Sequence, residues 1–568
     1  MKTLSCPLVF LLAINFVSSS AHAETSSQDA VIVTATRYPI TANESLASVT
    51  TINRANIERS QARTLPEILR GIPGVDVVTQ GGYGKLTSVF LRGTNSGHTL
   101  VLVDGIKIGS ATTGTPSWEF IPLAEVERIE IVRGPRSSLY GSEAIGGVIQ
   151  IFTRRGTGRL EARAEVTAGS FHTNEINGGI SGSDSKTWYN LHAGRFATRG
   201  FNAREPVVEF GTPINDPDRD GYDNRYASLR LGHRLDNGTE IEIHGMGAQG
   251  NNEFDSSGNN EEDFFQNAAG AQFRLQPVSG WNTSFQLGRS RDERRDFRSD
   301  GSTTATRFDT KRQSFSWQNE FTLNTKQILT LGYDGQNDGV SSTTNYDKTS
   351  RDNRGFFGQY QSRFGEQDIL ASLRRDDNEQ FGQHSTGNLG WGYPLSEKLR
   401  LIASYGTAFK SPTFNDLYYP GYSNPNLQPE ESKTMEIGLK TKETDHHWSI
   451  HAFRTDIDHL IALDSAYIPQ NINRATIQGA EAEAAVTLSG WRIVGGLTLV
   501  NPRDESTGNV LARRSRKSAK LDLDRRLGDV DTGLSIIAQG PRFDDAANAK
   551  RLGGYSVLNL HVQKTLTK

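Results

Sequence analysis

From Arg159 onward the chain alternates polar and apolar residues with period 2 over segments of about ten residues or more, and this limits the fold more than any other feature. Tyr189, Leu191 and Ala193 interleave with Asn190, His192 and Gly194, and Ile241 and Ile243 with Glu240, Glu242 and His244. Leu399, Leu401, Ala403, Tyr405 and Phe409 share one face of a strand whose other face carries Arg400, Ser404 and Lys410. Near the end Leu558, Leu560 and Val562 oppose Asn559, His561 and Gln563. Ordinary strands average about 5 to 6 residues, so a soluble sandwich or propeller fits poorly. A sheet apolar on one side and charged on the other suits lipid outside and water inside, provided no backbone edge meets hydrocarbon.

The connections agree with that reading. Asp236-Asn237, Thr325 and Ser489-Gly490 mark tight turns, whereas Asn202 to Gly221, Asn251 to Asp263 and Ser411 to Gln428 are long, the asymmetry of short periplasmic turns and long outer loops. About 20 strands are readable between residues 158 and 568, an even number that puts both ends of the barrel on the periplasmic side. Composition closes other routes. A mean hydropathy of -0.53 and a single apolar run, Pro7 to Val17, exclude a helical membrane bundle, which repeats apolar stretches of about 20 residues. One Cys excludes an intrachain disulfide scaffold, and a net charge of -3 argues against nucleic acid as a partner.

Lys2, the apolar run and Ala21-His22-Ala23 stand in the order of a signal peptide, which predicts a leader over residues 1–23 with cleavage after Ala23. Cys6 lies inside it, so the mature chain would carry no thiol through an oxidising compartment. From Glu24 to about Gly156 the texture is mixed. A helical stretch at Leu65 to Arg70 stops at Gly71-Ile72-Pro73-Gly74, and Val89 to Leu91, Thr99 to Val103 and Val126 to Val132 read as short β-branched strands, which predicts a small α+β domain.

Specific motifs sharpen this. Asp29-Ala30-Val31-Ile32-Val33-Thr34-Ala35 is a β-prone segment in polar surroundings, suited to pairing as an added strand on a partner's sheet edge. FLRGTNSGHTLVLVDG from Phe90 and VERIEIVRGPRSSLYGSEAIGG from Val126 place glycines for tight turns and arginines, Arg92, Arg133 and Arg136, that suit pairing with carboxylates. NPNLQPE runs from Asn424 to Glu430. In these runs the chain resembles the TonB-dependent outer-membrane receptors over nearly its whole mature length. The resemblance implies a transmembrane all-β barrel of about 22 antiparallel strands with an N-terminal α+β plug in its lumen. It also implies a TonB-box segment over residues 24–40, a plug over 41–157 and a barrel over 158–568. The partners implied are TonB with its energising inner-membrane complex and outer-membrane lipid, in a monomer. Against that family the barrel reads short: a closing hairpin and a terminal aromatic are not found, so a C-terminally truncated member is expected.

Within the family, GGYGKLTSVFLRGTNSGH from Gly81, YGTAFKSPTFNDLYYPGYSNPNLQPE from Tyr405 and LARRSRK from Leu511 are similar to cobalamin-transporting members. Position by position, that likeness implies substrate contacts at Leu86, Ser88 and Asn95, at Thr112 and Thr113, and at Thr306 and Arg513. The loop from Ala111 to Phe120 departs from the family in length and composition. Asp216, Asp218 and Asp220 stand at alternate positions before Gly221, a spacing that gathers hard oxygen ligands for Ca2+. Ala227 at the twelfth position rules out an EF-hand, so Asp255 and Asp263 are the expected lenders. Asn202 stands where the family pattern has Asp, and a solvated acidic loop is the bland reading of the same residues.

Other chemistry finds no support. Gly84-Lys85-Leu86 lacks the Ser or Thr of a phosphate loop, no G-x-S-x-G or H-E-x-x-H occurs, and His446, His447 and His451 straddle a turn and its strand. Phe409-Lys410-Ser411-Pro412 replaces a haem-receptor motif, and Thr413 to Ser423 contains no His. The function expected is active cobalamin transport without catalysis. A siderophore or other metal-chelate receptor is the alternative, and a passive porin or adhesin the competing class.

Overall fold

The computed structural model describes the chain from Ile32 to Leu566 apart from residues 34–36, 38, 210–211, 215–216, 257, 302–303, 442–445 and 465. The expected leader, the box residues Asp29, Ala30, Val31, Thr34 and Ala35, and Asp216 lie outside the described residues.

The alternating segments form one antiparallel sheet of 20 strands in chain order, from Glu161–Gly169 to Tyr555–Lys564. In Tyr222–Arg234 the buried side carries Asn224, Ser228 and Arg230, while Leu229 and Leu231 point outward at 45% and 43% exposure. Burying the polar set and exposing the leucines inverts a soluble sheet, as a lipid-facing wall requires. Thr306–Asn324 has 19 residues, or about 60 Å of extended chain, so even when tilted it passes well beyond a hydrocarbon core of about 30 Å. The surplus length walls a vestibule on the long-loop side. Among the described residues no helix is long and apolar enough to cross a membrane.

The two end strands pair on one side only among the described residues. The plug bridges the gap between them: Gln61 Nε2 lies 3.5 Å from Gln563 Oε1, and Arg63 Nη1 lies 2.8 Å from Glu165 Oε1.

Inside stands the mixed domain. Its first strands are β1 (Ile32–Val33), β2 (Ile40–Thr41) and β3 (Val49–Asn53), followed by α1 (Arg54–Ser60) and α2 (Leu65–Leu69). Next come β4 (Val75–Thr79), β5 (Thr87–Leu91), β6 (Thr99–Val103), β7 (Ile106–Lys107) and β8 (Val126–Arg133). α3 (Ser137–Tyr140) and β9 (Gly147–Thr153) complete it. The central sheet runs β3-β8-β9-β6-β7, with β6 and β9 parallel, and β4 pairs with β5 beside it. Thr64 caps α2 in a reciprocal capping box with Glu67, and Leu65, Ile68 and Leu69 turn inward. The helix ends one residue earlier than its apolar run suggests, because Arg70 turns extended ahead of Gly71. Leu65, Leu69, Trp118, Ile129, Ile131 and Ile149 form a dry core continuous with Met246 and Ala268 of the wall.

Gly147 opens β9 at φ +147, where an added Cβ would stand 2.1 Å from the Val132 carbonyl oxygen. Gly147→Ala is therefore expected to destabilise the plug by about 1–3 kcal/mol. Protease cleavage of plug peptides should rise while the barrel keeps its heat-modifiable migration; equal plug protection would contradict this.

Candidate extracellular vestibule

Three plug loops reach the long-loop end, and each docks on a different part of the wall. In the first, Lys85 donates to Asn252 Oδ1 at 2.8 Å and to the Gly221 carbonyl at 3.1 Å. Burial pushes this ammonium below the usual lysine range, against nearby Asp220 and Glu253. Its neighbour Leu86 stands 47% exposed at the apex, and Ser88 follows half-buried on β5.

In the second loop Asn95 is held from two sides. Its backbone N–H donates to His98 Nδ1 at 3.2 Å, and its side-chain oxygen accepts from Arg514. Burial lowers the His98 pKa, and because Nδ1 accepts, Nε2–H is directed at Glu430, 3.1 Å away. Lys410 Nζ meets the other oxygen of Glu430 at 3.0 Å.

In the third loop Ala111 N donates to Thr310 Oγ1, and its carbonyl accepts from Phe414 N of α4 (Phe414–Tyr418). Thr112 is buried and its carbonyl accepts from Asn415 N, while Thr113 is exposed. Around them stand Phe308, Tyr346, Tyr418 and Tyr419, packed on Ala111 and Phe414. Tyr419 stacks on Phe308 at 6.5 Å, and Tyr422 is exposed beside it. Sequence reasoning misses this aromatic wall, although its signal, Tyr418-Tyr419 with Tyr422 just past a Pro-Gly pair, is present in the chain.

The barrel-side candidates separate. Thr306 Oγ1 accepts from Asn259 on the neighbouring loop. Arg513 sits at φ +68 with its guanidinium 3.2 Å from Asp544, and Arg514 is the residue that turns inward, over the Phe90 ring at 4.5 Å.

Of the acidic set, Asp218, Asp220 and Asp255 bring carboxylate oxygens within 4.8 Å of one another. Asp263 does not join them. It lies on the outward face of its strand opposite Asn251, while the adjacent Glu262 points inward to Arg294 at 3.2 Å. The three convergent carboxylates are the donor type and number a hard divalent cation takes from one loop pair.

Beneath the vestibule a charge cluster ties plug to wall. Arg92 Nε and Nη2 meet Glu481 at 2.9 and 3.1 Å, Nη1 meets Glu436 at 2.7 Å, and the guanidinium lies 4.3 Å over the Phe453 ring. Arg133 lies 3.7 Å from Glu481, whereas Arg136 turns back to the Pro135 carbonyl at 2.9 Å.

Residues 171–568 match the model of a TonB dependent receptor-like beta-barrel, and residues 41–148 that of the TonB-dependent Receptor Plug Domain. The chain is 34% identical over 555 residues to a protein of Photobacterium profundum named vitamin B12 transporter BtuB, covering 95% of this chain and 89% of that one. It is 34% identical over 590 residues to the protein of the same name from Vibrio vulnificus, covering 98% and 92%. Among solved structures, a variant of the ferric enterobactin receptor PfeA from Pseudomonas aeruginosa superposes with TM-score 0.79 at 19% identity, over 92% of this chain and 91% of that one. The siderophore receptor PirA from Acinetobacter baumannii gives 0.78 at 17% identity, over 93% and 94%.

Removing Arg92 would leave two buried carboxylates facing each other, so Arg92→Ala is expected to weaken plug docking by about 3–5 kcal/mol. Plug release across a urea series, followed by limited proteolysis, should shift to lower urea. Arg92→Lys should recover only part of the loss, because an ammonium cannot make the forked contact.

Proposed function

Because the chain belongs to the TonB-dependent receptor family of outer-membrane β-barrels, we propose that it actively transports cobalamin across the outer membrane. The observation that carries this reading is 34% identity along nearly the full chain to two transporters named for vitamin B12. The siderophore receptors are alike at 17 and 19% identity, a likeness of fold that leaves substrate choice to the vestibule. There, Leu86, Asn95 and Thr113 offer an exposed apolar tip, an amide and a hydroxyl on three separate loops, and the tyrosines of the α4 region offer flat apolar faces. A broad ligand with an apolar ring and peripheral amides suits that set.

Ca2+ fits the acidic loop through Asp218, Asp220 and Asp255, where it would supply the positive charge that holds two outer loops together. Lys85 links that loop base to the plug apex that bears Leu86. Cyanocobalamin binding to purified protein is expected to be at least about tenfold tighter in millimolar calcium than in chelator, about 1.4 kcal/mol. Equal affinity would remove the metal from the reading; binding of ferric siderophores with none of cyanocobalamin would remove the substrate.

The work would come from TonB pairing with the box. Ile32 and Val33 already pair antiparallel with Thr41 and Ile40, so this segment holds strand conformation before any partner arrives. Arg37, four residues after Val33, is tied to the wall by Asp334 at 2.9 Å. Ile32→Pro deletes a backbone donor from the docking strand. Cobalamin uptake by cells should then be lost with surface binding intact, and normal uptake would refute docking here.

A further inference from the structure

The plug meets its wall differently on two sides. Against the strands carrying Glu436, Glu481 and Gly496 it is pressed tight: besides the Arg92 contacts, a Cβ on Gly496 would stand 2.9 Å from Pro73. Against the eight consecutive strands from Tyr222–Arg234 to Gln367–Asn378 its contacts, among them Arg230 to Asp104 and Arg37 to Asp334, leave between them a cavity of about 1100 Å³. The cavity begins at the periplasmic rim, where Gly238 of a tight turn and Asn282 line it, and extends up the wall to Arg351 and Ser411. Arg351 belongs to both compartments. It lines the cavity, yet its guanidinium lies 4.9 Å under the Phe414 ring and donates to the Pro412 carbonyl at the vestibule floor.

Arg351 therefore spans from the cavity to the vestibule floor. Two ion pairs lie beside it and form a charged layer at this end of the cavity, Lys107–Glu143 at 2.9 Å within the plug and Arg312–Asp338 at 2.6 Å within the wall. Glu143 is held at φ +81, and its N–H donates to the Phe409 carbonyl of the wall. Below the layer the lining mixes carboxylates, guanidinium groups, amides and hydroxyls with Leu100, Leu102, Phe152 and Phe315, and its polar groups give water partners to bond. We propose that this cavity is a standing aqueous passage closed only at its outer end, and that the Lys107–Glu143 pair is the plug's half of the gate. The solute class is a large molecule rich in amide and hydroxyl groups. Passage then requires breaking one small charged layer on this side, while the Arg92 side stays locked.

The biological use rests on the transport reading, but the test needs neither cobalamin nor TonB, so either can fail alone. Lys107→Ser with Glu143→Ser removes both charges together and leaves no unpaired partner. The double variant is made in a Cys6→Ser background that also carries Ser314→Cys, a cavity-lining position. Reconstituted in planar bilayers, it should conduct above the level of the same protein with Lys107 and Glu143 intact, and a bulky maleimide should return it to that level. As a folding control, Lys107→Met with Glu143→Leu fills the layer with apolar bulk and should stay closed. A correctly migrating barrel whose Ser variant gains no conductance overturns the proposal. So does a gain the maleimide leaves untouched, or equal conductance in the Met/Leu variant.

Discussion

The structure depends on one guanidinium. Arg92, at the end of β5, enters a slot formed by Glu436, Phe453 and Glu481 on three consecutive wall strands, with all three charged groups out of water. Desolvating each ion costs several kcal/mol, so the cluster is stable only because its geometry returns that cost through forked, short contacts. Two carboxylates on one arginine would leave an excess negative charge. Arg133 beside Glu481 offsets it, and His451 Nδ1 lies 2.7 Å from Glu436. With Arg92 fixed, Gly93 to His98 are fixed too, and Asn95 meets Arg514 at the vestibule floor. The vestibule floor is thus positioned from below by an ion cluster.

That dependence explains which parts of the molecule are legible in the sequence. Period-2 alternation carries the wall because lipid outside and a wet lumen inside impose opposite polarity on adjacent residues. Leu191 and Ile243 facing out, with Asn190 and Glu242 turned in, follow from parity alone. The plug sheet is legible because β6 and β8 are dry β-branched runs, and α2 because Thr64 and Glu67 announce its cap. The vestibule is less so, since parity fails where the pattern does. In Glu261-Glu262-Asp263-Phe264-Phe265 acids and aromatics come in runs, and the Arg294 contact to Glu262 with the stacking of Phe264 on Phe120 fixes which side is inward. Asp263 consequently leaves the metal cluster expected of it. Likewise Arg513 and Arg514 are identical in type, and the positive φ at Arg513 decides that its neighbour reaches the plug.

The acidic loops and the plug apex form one mechanical unit on the outer face. Lys85 joins them by donating to Gly221 and Asn252, next to Asp220 and within the same loop base as Asp218 and Asp255. A cation gathering those carboxylates would pull on the segment that seats Lys85, and Leu86 is the next residue. On the proposed reading, metal and substrate would be coupled through one covalent step along the plug loop, which gives differential contacts of the kind any linkage between two ligands needs.

A plug held partly by charge has a property that a plug held by apolar contact alone lacks. The dry core of this domain centres on Leu65, Ile129 and Ile149 and reaches the wall at Met246 and Ala268, and smaller apolar clusters cross to the wall at Leu46, Ala111, Phe120 and Ile145. Between those clusters polar contacts join plug to wall: Arg37 to Asp334, Ser117 to Asp292, Arg230 to Asp104, Arg400 to the Asn43 carbonyl. Apolar surface pulled apart meets water at about 25 cal/mol per Å² with nothing returned. Ion pairs pulled apart beside a water-accessible cavity regain most of their hydration, so the net cost of each is the small difference between two large terms. A pull on the N-terminal segment can then dismantle the cavity side of the interface pair by pair, while the Arg92 cluster, buried away from that water, keeps the rest of the plug in place.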